Sequence, residues 1–126
     1  LQKNIGLTCQ QEFNRPNYQQ MNLQNHQLRN YNFNKDIVKK QSDVVFQQFS
    51  QGRNFVYPNE VPKMVTAFTE QSNLPQVNQQ DIFFILSQID DRDGKIEKDE
   101  FKLLLKILSG HKKMDNIYKH KKKHHH

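Results

Sequence analysis

The sequence holds one cysteine, four glycines and four prolines among 126 residues. Cys9 alone cannot form an internal disulfide framework, and no base stands at a spacing that would activate it. So few glycines leave no glycine-rich loop of the kind that cradles phosphate. No apolar run approaches the roughly 20 residues of a membrane-spanning helix. Leu1 to Leu7 lacks signal-peptide character, and the first residue is not Met, so a removed segment or a longer parent protein is expected. Hydrophobic residues make up 34% and the mean hydropathy is −0.98, too polar for the whole chain to be packed, so part of it should be arm or tail. His26 falls in an arm and His111 and His120 in a tail, with no ordered partner apparent. No catalytic constellation appears, which reads as a protein that is not an enzyme. The closing run His124, His125, His126 reads as a solvated tail or tag remnant rather than a metal site.

What the chain does have is one acidic stretch, Asp90-Asp91-Arg92-Asp93-Gly94-Lys95-Ile96-Glu97-Lys98-Asp99-Glu100. Helical apolar patterns flank it. Ile82, Ile85, Leu86 and Ile89 stand before it, and Phe101, Leu104, Leu105 and Leu108 after it. Helix, acidic loop with Gly, helix resembles the EF-hand family of calcium-binding proteins. The flanking apolar residues make Asp90 the start of the loop and Glu100 its end, which is one residue fewer than the family's twelve. The resemblance implies a calcium site in this loop, with Asp90, Asp91, Asp93 and Glu100 as carboxylate ligands and Lys95 through its carbonyl.

Residues 1–35 are rich in Gln and Asn and show no apolar period, so an extended arm is expected. Residues 36–50 read as a helix capped by Asn34 or Asp36, with Val38, Val45, Phe46 and Phe49 on its buried stripe. Gln51 to Asn59 is a loop. Pro62 suits the first turn of a second helix carrying Val61, Met64, Val65 and Phe68. Ser72 to Val77 is a linker, and Asn78 with Asp81 resembles a capping box that starts a third helix. The fourth helix runs from about Asp99 to Ser109, with Gly110 as its stop. His111 to His126 is a basic tail.

The two helical pairs repeat. An offset of 40 residues carries Val45 onto Ile85, Phe49 onto Ile89, Val56 onto Ile96, Glu60 onto Glu100 and Phe68 onto Leu108 without a gap. Both loops therefore share the shortened length, and Val56 and Ile96 are expected to form a short strand contact. In the first loop Arg53 replaces Asp93 and Gln51 replaces Asp91. Asn54 replaces Gly94 and is expected to take the left-handed turn. One carboxylate with an internal arginine cannot balance a dication, so this loop is structural.

The expected architecture is all-α: a paired EF-hand helix-loop-helix module with an extended N-terminal arm and a basic C-terminal tail. The arm spans 1–35, the pair 36–110 (a degenerate hand at 36–71 and an acidic-loop hand at 78–110), and the tail 111–126. Phe83, Phe84, Leu103 and Ile107 are surplus to one apolar face, which suggests burial on a second side against a partner or the arm. An arm with no core of its own needs a prebuilt surface, so Phe13, Tyr18, Leu23 and Leu28 are expected to anchor it on neighbouring chains. Net charge is +6, with Lys98, Lys102 and Lys106 in one stripe continued by Lys112 and Lys113, which favours an acidic protein surface as partner. Little aromatic interleaving means no specific nucleic acid recognition is indicated. The function expected is a non-enzymatic structural or adaptor subunit of a larger protein assembly, with at most one calcium. Its setting is read as intracellular, ciliary or cytoskeletal (microtubule-linked) first and mitochondrial second. The alternatives are a calcium sensor gripping a target helix and an anionic-polymer binder acting through the tail.

Overall fold

A computed structural model describes residues 26–89 and 94–113. These residues are mostly helical, with four α-helices and one two-stranded sheet. Helix α1 (Lys35–Ser50) is joined to α2 (Val61–Gln71) through strand β1 (Phe55–Val56) and a 3-10 turn (Pro58–Glu60). Helix α3 (Gln79–Ile89) is joined to α4 (Lys98–Leu108) through a loop and strand β2 (Ile96–Glu97). The order is thus helix, loop with strand, helix, twice. No helix among the described residues is long and apolar enough to cross a membrane.

Each helix starts and stops for a local reason. Asn34 caps α1, its side chain accepting the N–H of Asp36 at 2.8 Å and of Ile37 at 3.2 Å. The helix ends where Gln51 turns left-handed and its N–H still reaches Gln47 O. Pro62 lies at the start of α2, where no intrahelical N–H is lost. Asn78 accepts the Gln80 N–H at 2.8 Å and opens α3. Gly110 stops α4 at φ +81, and the following N–H groups of His111 and Lys112 return to Lys106 O. A Cβ at Gly110 would lie 2.5 Å from the Asn30 side chain, so both the backbone and the close approach require glycine there.

The repeat predicts the core. Val45 and Ile85, Phe46 and Leu86, Val61 and Phe101, Met64 and Leu104, Val65 and Leu105, and Phe68 and Leu108 are all buried. Phe49, on the same stripe, is half-buried against this cluster. Burying each such large side chain contributes about 1.5–3 kcal/mol, so matched positions in both halves give one shared core. β1 and β2 pair antiparallel, with Val56 opposite Ile96 and Phe55 opposite Glu97. Both Val56 and Ile96 are fully buried.

The N-terminal boundary differs from the expected one. Residues 26–33, assigned to an extended arm anchored on neighbouring chains, lie on the chain's own helices as a strap. Phe33 is 1% exposed and its ring packs edge-on to Phe68 at 5.5 Å. The Tyr31 N–H donates to Leu108 O at 2.8 Å. His111, assigned to the tail, donates from Nε2 to Phe33 O at 2.6 Å. The reason is that α2, α3 and α4 leave a gap that their own side chains do not close, and Phe33 and Tyr31 fill it. Periodicity cannot report such residues, because an extended strap has none.

Candidate functional site

The sequence directs attention to the two loops, and they are built differently. In the first, the chain leaves α1 through Gln51 at φ +52 and Gly52 at φ +88, and the Arg53 N–H returns to Ser50 O at 3.0 Å. Asn54 does not take the left-handed conformation expected of it. Gly52, two residues earlier, carries the turn at lower cost. In the second loop Gly94 has φ +75, so the two loops turn at different positions.

This early turn brings the Arg53 guanidinium back under the end of α1. Its Nε donates to Ser50 O at 2.8 Å and its Nη2 to Phe49 O at 2.9 Å. The same Nη2 lies 3.5 Å from Glu60 Oε1 across the loop. The guanidinium also sits over the rings of Phe55 (5.2 Å) and Tyr57 (5.0 Å). Two carbonyls at the negative end of a helix and one carboxylate thus converge on one fixed cation. A dication entering this arrangement would have to displace a charge already held by the chain.

The far ends of the two loops match. Glu60 Oε1 accepts the Tyr57 N–H at 2.8 Å, and Glu100 Oε1 accepts the Glu97 N–H at 2.8 Å. Both are the reciprocal half of a capping box at the start of a helix. Glu100 is 4% exposed, whereas the Glu60 side chain is 28% exposed. Among the other predicted ligands, Asp90, Asp91 and Asp93 lie outside the described residues. Lys95 is exposed, and its ammonium stands over the Phe55 ring of the other loop at 4.9 Å from the centroid.

The residues assigned to partners are placed as follows. Leu103 and Ile107 are buried in the chain's own core, and Leu28, Phe83 and Phe84 are half-buried against it. Phe84 meets the His26 ring at 5.2 Å. Phe84 is thus met by the strap, and Leu103 and Ile107 are closed within the core, so these residues do not line an open groove among the described residues. Val44 is the one large hydrophobic that stands exposed among the described residues. Phe13, Tyr18 and Leu23 lie outside the described residues. Lys112 and Lys113 are exposed.

A buried polar cluster escaped the sequence reading. Asp81, in the first turn of α3, is 0% exposed. Its carboxylate meets His26 Nε2 at 2.5 Å, the Tyr31 hydroxyl at 2.6 Å and Arg29 Nη1 at 3.3 Å. The Tyr31 oxygen in turn accepts the Asn78 N–H at 3.0 Å. Aspartate is too short to reach back to the capping residue as glutamate does, and the tyrosine hydroxyl relays the bond. Burial, and next the bond to Asp81, push the Tyr31 phenol above its ordinary value. The Asn78/Asp81 spacing announced half of this arrangement. Its partners lie some 50 residues away, where no local signal reaches.

Comparison with protein-family models, with curated proteins and with solved structures returned no match for this chain.

Proposed function

We propose that the chain is an EF-hand-like pair working as a non-enzymatic adaptor within a larger protein assembly. The observation that carries this reading is the first loop, where Arg53 holds the two carbonyls and the carboxylate that an ion would otherwise organise. A loop cross-linked by its own cation has nothing to release or gain when calcium changes. The internal strap supports the same reading, since it covers the face that a calcium sensor opens to its target.

The second loop is the place for a cation. Glu100 is buried at the start of α4, and with Asp90, Asp91, Asp93 and the Lys95 carbonyl it would hold calcium. The ion would supply charge balance between α3 and α4, and no reaction. In this reading calcium tightens the pair without opening it. Adding calcium to the full chain while following a fluorescent probe of exposed apolar surface should therefore give no rise in signal. A several-fold rise would replace the adaptor reading with the sensor alternative.

A further inference from the structure

Away from the loops, a groove of about 480 Å³ runs between the first half of α1 and the last half of α4. Lys35 and Lys39 line it from α1, and Lys102 and Lys106 from α4, with Asp36 the one carboxylate in the lining. Lys102 is already paired, with its Nζ 3.1 Å from Asp43 Oδ1. Among the described residues, no carboxylate lies within ion-pair distance of Lys35, Lys39 or Lys106. The helix dipole accounts for Lys106, in the last turn of α4 where a cation is favoured, but not for Lys35. Lys35 is the first residue of α1, where the helix dipole disfavours a cation. The Asp36 and Ile37 N–H groups there are taken by the Asn34 cap, so an incoming anion meets the ammonium groups and the His111 ring and not the helix end.

We propose that this groove docks a short acidic segment of a partner protein, with its carboxylates on Lys35, Lys39 and Lys106 and an apolar side chain along the lysine stems. Lysine stems offer apolar surface beneath a charged head. The volume falls among small-ligand sites, roughly 300–1,000 Å³, which suits a few residues of chain and not a folded surface. The one ring in the lining is His111, which is tied through Nε2 to Phe33 O, and no Phe, Tyr or Trp is there for a base to stack on, which disfavours nucleic acid. The lining has no arginine fork, which disfavours a site selective for phosphate. The proposal rests on the adaptor reading in supposing a protein partner, and it is independent of any ion in the second loop.

The test titrates the full chain, in calcium-free buffer at fixed ionic strength, into a labelled peptide of alternating Glu and Leu, with fluorescence anisotropy as readout. The variant carrying Lys35→Gln, Lys39→Gln and Lys106→Gln should bind about tenfold more weakly, the product of three modest surface ion pairs. A variant losing the same charge away from the groove, through Lys40→Gln, Lys63→Gln and Lys95→Gln, should change less than about threefold. Circular dichroism should show both variants folded. Equal losses in the two variants would overturn the proposal in favour of general electrostatic attraction. So would absent peptide binding, or groove-dependent binding of inorganic tripolyphosphate alone. If the peptide binds through the groove while calcium exposes apolar surface, the adaptor reading falls and the groove stands.

Discussion

Arg53 shows how one side chain changes the meaning of a loop. The sequence reveals that an arginine has entered a place kept for carboxylates, and the exclusion of a dication follows from charge alone. It does not reveal where the guanidinium goes, because that depends on the turn at Gln51 and Gly52. Replacing Arg53 with Ala frees Phe49 O, Ser50 O and Glu60 of this donor. Because the group is partly exposed, the expected cost is about 1–2 kcal/mol, read as a lower urea midpoint with unchanged slope. An unchanged midpoint would mean that water serves the carbonyls equally well. Tyr31 allows a sharper test through pH. Its phenol is held above the ordinary value, so the folded state keeps that proton where the unfolded chain gives it up. The stability this contributes is complete below the unfolded value near 10 and is lost as pH rises from there through the folded value. Tyr31→Phe should be less stable at neutral pH by about 1–2 kcal/mol, because Asn78 and Asp81 each lose a partner. It should also show a shallower decline than the parent as pH rises above about 10. An identical alkaline slope would contradict the relay.

The helices were legible because each carries its own punctuation. Asn34, Pro62, Asn78 and Gly110 mark starts and a stop by rules that act within a few residues. The strand contact was legible from the repeat, since Val56 and Ile96 occupy the same place in the two halves. The strap was not. Residues 26–33 make bonds with Asp81, Leu108 and His111, each 50 or more positions away, and alternate no apolar pattern. Charge placement was misread for the same reason. Lys98 and Lys102 read as part of a stripe open to an acidic partner, yet both approach Asp43 of α1, at 3.7 Å and 3.1 Å. If the strap belongs to the fold, Phe33→Ala should cost about 3–5 kcal/mol, the usual range for a phenylalanine removed from a core. In the purified chain, hydrogen exchange at the Tyr31 amide should be slow, like that of the helix interiors. Fast exchange there, with a small cost for Phe33→Ala, would return residues 26–33 to an arm that needs neighbouring chains.

At the scale of the molecule, the described residues bury or half-bury their large apolar side chains, Val44 excepted, and line one surface with lysines. Phe84, Leu103 and Ile107 were legible as surplus to one face, but what covers them was not, because a contact such as that of His26 with Phe84 joins positions far apart in the chain. Among the described residues, four lysines and one carboxylate line the groove between α1 and α4 that is proposed for the acidic partner segment. The asymmetry between the loops is the feature on which the functional reading turns. It is tested most directly by calorimetric titration of the full chain with calcium. One ion per chain is expected, abolished by Glu100→Gln and retained by Glu60→Gln. Two ions per chain, or one that survives Glu100→Gln, would contradict the assignment of Arg53 as the first loop's own cation.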